Sequence, residues 1–150
     1  MISKENEVAL IVHTCDRYAF LYEGFDIFFS KYWDNSIKCK CYFITEEKPV
    51  NIPGFTNILS RRGEWSDRLA LVLRQEITEK YILYFQEDMW LSKPVNPAFF
   101  NHLFEIAERN NWLQVKLHSS EIYKPIPTDL FIQGFRVATI DNNSGYQMSH

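Results

Sequence analysis

The sequence has 150 residues, of which 46% are hydrophobic and 16% aromatic, and its formal net charge is -3. A chain of this length can bury about 70% of the surface that its unfolded form exposes, so we expect a single domain over residues 1–150 with a core that needs no cross-links. The apolar content excludes intrinsic disorder, and the mixed, slightly acidic charge argues against nucleic acid as the main partner.

The three cysteines favour a reducing compartment. Cys39 and Cys41 lie two residues apart on a predicted strand, and Cys15 is left over. This spacing matches neither a disulfide framework nor a zinc knuckle. The first ten residues contain no apolar h-region, and no apolar run is long enough to span a bilayer. We therefore expect a cytoplasmic protein without a transmembrane segment, and leave a peripheral association with a membrane open.

Predicted strands and helices alternate along the first part of the chain. Residues 8–12 (VALIV) form a continuous apolar run, which is typical of a strand buried on both faces. Apolar residues then recur at helical spacing between positions 21 and 32. Strands are predicted over residues 39–45 and 55–59, with a loop containing two prolines between them.

Helical spacing returns over residues 65–78, with Ser66 as the predicted N-cap, and an apolar strand follows at 81–85. The order strand, helix, strand, strand, helix, strand predicts an α/β fold in which a mostly parallel central sheet is flanked by helices.

The last third of the chain begins with a predicted helix that Asn96 caps and that has Pro97 at its first position. That helix is predicted to end near Asn110. We expect another strand over residues 112–117, and a loop with one further strand in the stretch 131–140.

The stretch that decides the functional prediction lies at the end of the strand at 81–85. This strand runs directly into Gln86, Glu87 and Asp88. In an open parallel sheet, ligands bind beyond the carboxyl ends of the strands, and the end of the strand at 8–12 brings further polar residues to the same edge. A polar loop that simply follows a core strand is the alternative interpretation.

At these positions the sequence resembles the nucleotide-sugar-dependent glycosyltransferases of the GT-A fold, in particular family-2-like members. VHTCDRYAFL resembles their first-strand signature, in which a Thr, an Asn or Asp, and an Arg follow the strand. ILYFQEDMWL resembles the strand that ends in their acidic DxD motif, and GEWSDRLALVL resembles the helix just before it. The resemblance covers roughly residues 8–117 and implies a Rossmann-like nucleotide-binding half.

The resemblance also implies a binding site for the sugar nucleotide. The first-strand loop of the family receives the nucleobase and ribose, and guanidinium groups suit a diphosphate. The predicted nucleotide-sugar contacts are Thr14, Asp16, Arg17, Arg62, Asp67, Arg68, Gln86 and Glu87.

Asp88 matches the final acid of the motif and is the predicted ligand of a Mg²⁺ or Mn²⁺ ion, which would neutralise the leaving diphosphate. Gln86 stands where the family usually has its first acid. An amide contributes no charge, so we expect a weaker metal site than in a full DxD motif.

Several of these residues have a second interpretation. Asp16 and Asp67 are also the residues that a helix dipole favours in a first turn, and Arg61 and Arg62 also fit a solvated loop pair. Trp90 could belong to the core or form a wall for the sugar.

The function that the resemblance implies is transfer of a sugar from a nucleotide-sugar donor to a hydroxyl of a carbohydrate or lipid-linked acceptor, in surface polysaccharide synthesis. No catalytic base is identified, because Glu121 and Asp129 are the acids available after Asp88 and neither stands in a motif. The alternatives are a non-catalytic nucleotide-sugar binding module, a partner-dependent subunit and, last, a phospho-receiver-like switch built on Asp16 and Asp88.

Only about sixty residues follow Asp88, which leaves little chain for an acceptor pocket. We expect Trp90, Tyr123, Phe131 and Phe135 to be partly exposed, and such residues are usually covered by more chain, a partner or a membrane surface. The sequence therefore predicts poor catalysis by this chain alone, together with self-association or a missing partner.

Overall fold

The computed structural model describes residues 7–117 and 125–140. They belong to two compact units, Met1–Val95 and Asn96–His150. His118, Glu121, Tyr123 and the carboxyl-terminal residues 141–150 lie outside the described residues. No helix within the described ranges is long and apolar enough to cross a membrane.

The first unit is built on a sheet of four parallel strands. These are β1 (Val8–His13), β2 (Lys40–Thr45), β3 (Thr56–Leu59) and β4 (Tyr81–Phe85), in the spatial order β3-β2-β1-β4. A 3₁₀ helix (Asp16–Leu21) and α1 (Tyr22–Tyr32) follow β1, and α2 (Trp65–Gln75) precedes β4. The predicted α/β fold with a parallel sheet and flanking helices is confirmed.

The two helices cover opposite faces of the sheet because side chains alternate along each strand. On one face, Phe25 and Phe29 of α1 pack against aromatic rings that include Phe43 of β2 and Phe85 of β4. On the other face, Ala9, Ile11 and Ile44 pack with Val72 of α2. All six residues of β1 are buried, as the continuous apolar run predicts.

The predicted N-cap of α2 is wrong. The helix begins at Trp65, Glu64 occupies the N-cap position, and its side chain makes no capping hydrogen bond. The Trp65 ring packs against the His13 ring with a centroid distance of 4.0 Å and an angle of 40° between the ring planes. The helix thus begins two residues earlier than it would with Ser66 as its N-cap.

The strand order decides where a ligand can bind in the first unit. The chain leaves β1 toward β2 on one side, whereas the connection from β3 returns across the sheet to β4 on the other side of β1. The carboxyl ends of β1 and β4 therefore flank the point where the strand order reverses, which is the usual ligand position in such sheets.

The second unit contains α3 (Pro97–Arg109) and an antiparallel hairpin of β5 (Pro125–Ile132) and β6 (Phe135–Ile140). The predicted helix start is confirmed. The Asn96 side chain accepts a hydrogen bond from the Ala98 backbone N–H at 3.0 Å, and Pro97 occupies the first turn. Proline suits this position because its missing N–H would have no helical partner there.

The strand predicted over residues 112–117 is wrong. This stretch is irregular, and Leu113 is fully exposed. Alternating apolar residues form a strand only when a neighbouring strand pairs with them, and none of the described strands pairs with this stretch.

The stretch 131–140, where one strand was expected, contains the turn of a hairpin. Gln133 and Gly134 have φ angles of 47° and 85°. Two successive residues with positive φ are typical of the tight turn that joins two antiparallel strands. Gly134 is the kind of residue that marks such a turn, but the sequence analysis did not predict a strand on each side of it.

Candidate functional site

The candidate site lies at the carboxyl edge of the first unit's sheet, where the residues following β1 and β4 meet. We call it the strand-end site and define it by Thr14, Gln86, Glu87 and Asp88. Val12 pairs with Phe85 in the parallel ladder, so the chain emerges from both strands at the same level. The loops that follow β2 and β3 adjoin it.

Asp16 locks the loop after β1 to the loop after β2. Its carboxylate accepts hydrogen bonds from the backbone N–H groups of Glu46, Glu47 and Lys48, at 3.0 to 3.1 Å. In return, the Glu46 carboxylate accepts from the Asp16 N–H at 3.0 Å. Burial opposes the charge, but the three backbone donors outweigh it and hold the pKa of Asp16 below its ordinary value.

Arg68 contacts the loops that follow β1, β2 and β3. Its side chain is only 3% exposed, its Nε donates to Ser60 Oγ at 3.0 Å, and its Nη2 donates to the Thr14 carbonyl at 2.7 Å. Its Nη1 lies 3.6 Å from Glu46 Oε1. The guanidinium is therefore committed to acceptors within the protein, which gives Arg68 a structural role; its predicted contact with a diphosphate has no direct support from this geometry.

The remaining predicted contacts near this edge are exposed. Arg62 forms an exposed ion pair with Glu47, with a distance of 2.8 Å between Nε and Oε2. Arg17 lies over the Tyr18 ring at 5.7 Å, and Asp67 stands in the first turn of α2, where the helix dipole favours it. The contact of these three side chains with a nucleotide sugar stays a prediction.

Glu87 is the unusual group of the site. It is 5% exposed, and its Oε2 has no hydrogen-bond partner within residues 7–117 and 125–140. Burial raises the pKa of Glu87, and the charge of Asp88 adds to the effect, while the Thr14 hydroxyl offsets part of it. Asp88 itself is exposed and Gln86 is half-buried. One acid therefore faces inward with an unused acceptor, and the next faces solvent.

Trp90 holds this loop in place. Its indole Nε1 donates to the Glu87 carbonyl at 2.8 Å, and its ring stacks on Phe28 of α1 with a centroid distance of 5.3 Å. Gly24 makes the approach possible, because a Cβ added there would lie 2.4 Å from the Trp90 ring. Trp90 remains 43% exposed, so one part of the ring fixes the loop and another part faces solvent.

His13 lies at the end of β1 and is fully buried. Its Nδ1 is 3.5 Å from the Tyr84 hydroxyl, and its Nε2 has no partner among the residues that the structure describes. Burial and the nearby Arg68 cation lower the pKa of His13 from 6.5 to about 4. The imidazole is therefore neutral at neutral pH, which fits the structural role that we expect for this residue.

The site fits a divalent cation only in part. Within the described ranges, no group of three or more His, Cys, Asp or Glu side chains could hold a metal ion. Glu87 and Asp88 are adjacent carboxylates, and a Mg²⁺ ion is commonly held by one or two carboxylates with water and substrate phosphates as its other ligands. Asp88 is the exposed member of the pair and could contribute such a ligand.

Two open clefts of the first unit lie away from Glu87 and Asp88. One, of about 450 Å³, adjoins Asp16 and Lys48. The other, of about 610 Å³, is lined by Cys39 and Cys41 beside the start of β2. The strand-end site is thus defined by its donor and acceptor groups rather than by either of these clefts.

The second unit carries the other acid considered as a base. Asp129 pairs with Arg136 on the hairpin, with 3.6 Å between the oxygen and nitrogen atoms. Phe131 and Phe135 are exposed, as is Trp90 in the first unit, and the predicted exposure of these three rings is confirmed.

No protein-family model, no curated protein and no solved structure matches this chain. The resemblance to GT-A glycosyltransferases therefore stays a prediction, and the function has to be inferred from the geometry of the chain itself.

The sequence analysis missed three groups that shape the site. Glu46 and Ser60 hold Asp16 and Arg68, and the Tyr22 hydroxyl donates to the Cys15 carbonyl at 2.8 Å. Each is an ordinary polar residue after a strand or in a helix, so no local pattern in the sequence marks it. For the position of Trp90 one signal was available: Gly24 is a glycine within an otherwise regular helical pattern, which indicates a close approach of another group.

We predict that Arg68→Ala lowers the free energy of unfolding by on the order of 3 kcal/mol, because it removes a buried cation and leaves its acceptors unpaired. The matched control is Arg62→Ala, whose exposed ion pair should contribute at most about 0.5 kcal/mol. Urea unfolding of the two variants measures the difference, and equal losses would contradict the structural role of Arg68.

We also predict that His13 makes stability depend on pH. Between pH 4 and 6.5 the unfolded chain protonates this imidazole and the native state does not, so stability rises with pH across that window. When the pH is lowered from 7.5 to 5, the free energy of unfolding of the parent should fall by about 2 kcal/mol more than that of His13→Gln. The raised pKa of Glu87 makes its own contribution to stability fall with rising pH, but this contribution is the same in the parent and in His13→Gln. Parallel urea unfolding curves at the two pH values would show the difference, and identical pH dependence would refute it.

Proposed function

We propose that the first unit binds the nucleotide part of a nucleotide-sugar donor at the strand-end site, and that the chain is the donor-binding part of a GT-A glycosyltransferase. The order β3-β2-β1-β4 supports this proposal, because it is the order of the first four strands in dinucleotide-binding sheets. The acceptor would be a hydroxyl of a carbohydrate or a lipid-linked sugar.

The observation that carries the proposal is the unpartnered oxygen of Glu87. Leaving a buried acceptor unsatisfied costs about 1–3 kcal/mol, so such a group in a native structure calls for an explanation, and a functional role is one of those known. Hydroxyl groups of a ribose and N–H groups of a base are donors of the required type. Because Glu87 Oε2 is buried as well as unpartnered, we propose that the loop containing Glu87 shifts when the nucleoside binds and that Glu87 then accepts its hydrogen bond.

Asp88 is proposed to act on the charged part of the donor. It is exposed beside Glu87, so it is free to reach a Mg²⁺ or Mn²⁺ ion whose other ligands are diphosphate oxygens and water. When bound, the ion would stabilise the negative charge that develops on the leaving diphosphate. Gln86 adds no charge, so the ion should bind appreciably only together with the nucleotide.

A non-catalytic nucleotide-sugar binding module is the second candidate, and the environment of the acids favours it over full catalysis. Asp129 is ion-paired with Arg136, and Asp16 is occupied by three backbone donors. Transfer needs a base positioned on the acceptor hydroxyl. Asp16 is held by its backbone donors, and the Asp129 side chain is fully exposed, where an ion pair contributes little to fixing its position. A second chain that supplies the base and the acceptor wall would account for both observations.

We predict that UDP stabilises the protein against heat and that Mn²⁺ adds to the effect. A ligand at ten times its dissociation constant contributes about 1.4 kcal/mol, which corresponds to roughly 3–6 °C in melting temperature for a chain of this size. Asp88→Asn should lose the Mn²⁺ increment and keep the increment from UDP alone. Gln86→Asp should enlarge the Mn²⁺ increment.

The control is Glu76→Gln, which removes an exposed negative charge beyond the end of α2 and should leave both increments unchanged. If no nucleoside diphosphate at millimolar concentration raises the melting temperature, both donor-binding functions are excluded. UDP binding without hydrolysis or transfer of the sugar from any UDP-sugar would favour the binding module. A concentration-dependent molecular mass would indicate self-association, which a second copy that completes the site requires.

A further inference from the structure

Two thiols lie side by side at the edge of the sheet opposite the strand-end site. Cys39 precedes β2 and Cys41 is the second residue of that strand. Both are free and half-buried, and their sulfur atoms are 3.8 Å apart in a hydrogen bond that either thiol can donate. The strand-end site makes no use of them.

The separation of the two sulfurs suits a shared metal ion. Two thiolates bound at about 2.3 Å to one ion at a tetrahedral angle lie about 3.8 Å apart, and opening that angle toward linear widens the separation to about 4.6 Å. Small side-chain rotations cover this range. A disulfide requires about 2.05 Å between the sulfurs, and residues two apart on an extended chain have Cα atoms about 6.6 Å apart, near the upper limit for a disulfide.

We propose that Cys39 and Cys41 form a two-thiolate binding site for a soft monovalent cation, Cu(I). Thiolates are the ligands that Cu(I) prefers among protein side chains. No third His, Cys, Asp or Glu completes a cluster with them in the part of the chain that the structure describes. Zinc is almost always held by four ligands in structural sites, whereas a soft ion of low coordination number needs only the two that are present.

The surroundings of the pair give an ion access to the sulfurs. The two cysteines line an open cleft of about 610 Å³, whose lining includes the aromatic residues Phe29, Trp33 and Phe55 and the polar residues Ser30, Asn35 and Lys38. The choice of Cu(I) therefore rests on the two thiols and their separation, and not on the lining of the cleft.

Binding is an exchange of protons for the ion. Two S–H bonds break, two Cu–S bonds form, and two protons pass to solvent. Copper enters and remains as Cu(I), so no electron is transferred and no oxidant is needed. Because the ligands must lose their protons, the affinity of the site should increase with pH.

The test is an anaerobic competition in which the full chain withdraws Cu(I) from its coloured complex with bicinchoninate. We expect one Cu(I) per chain. The loss of an outer-shell partner alone can lower metal affinity by roughly 10- to 100-fold, so Cys39→Ser and Cys41→Ser should each weaken binding by at least ~100-fold. Cys15→Ser is the matched control, because Cys15 lies at the carboxyl end of β1, and it should bind as the parent does.

Three results would overturn the proposal: no withdrawal of Cu(I), equal loss in Cys15→Ser, or Zn²⁺ binding as strong as Cu(I) binding. Alkylation of the parent protein provides a measurement that does not depend on a variant folding. Bound Cu(I) should protect Cys39 and Cys41 from iodoacetamide while Cys15 reacts, as read by peptide mass spectrometry. Unprotected Cys39 and Cys41 would also overturn the proposal.

Discussion

A buried guanidinium must find acceptors for its donors, and Arg68 finds them on three different strand-end segments. It bonds to the Thr14 carbonyl after β1 and to Ser60 after β3, and it lies beside Glu46 after β2. The reciprocal bonds between Asp16 and Glu46 reinforce the same edge. Removing one partner from such a buried set costs far more than breaking an exposed ion pair, so the shape of the carboxyl edge depends on this cation.

The fixed edge lets one acid remain unpaired. Arg68 donates a hydrogen bond to the Thr14 carbonyl. Trp90 donates a hydrogen bond to the Glu87 carbonyl and stacks on Phe28, next to Gly24. A carboxylate that is buried without a full set of partners lowers stability, and the contacts of Trp90 keep the Glu87 segment in this position. The neutral His13 at the end of β1 packs between Trp65 and Tyr84 and fills the space next to Thr14 in the chain.

The sequence could predict what depends on local pattern. The apolar run at 8–12 identified the buried strand β1, and Asn96 with Pro97 identified the start of α3. The predicted strand at 112–117 failed because pairing depends on a neighbour that the pattern does not contain. At the site, Asp16 and Arg68 stood out by residue type. Their partners could not be predicted, because Asp16 meets Glu46 across 30 positions and Arg68 meets Thr14 across 54.

The most direct test of a ligand role for Glu87 is to measure stability and UDP affinity together in Glu87→Gln. The neutral amide removes a buried charge, so we expect the free energy of unfolding at pH 7.5 to rise by about 1 kcal/mol. A charged acceptor bonds more strongly than a neutral one, so calorimetric titration with UDP should show affinity falling by about tenfold. Opposite changes in stability and affinity would support the assignment. An unchanged UDP affinity would contradict it.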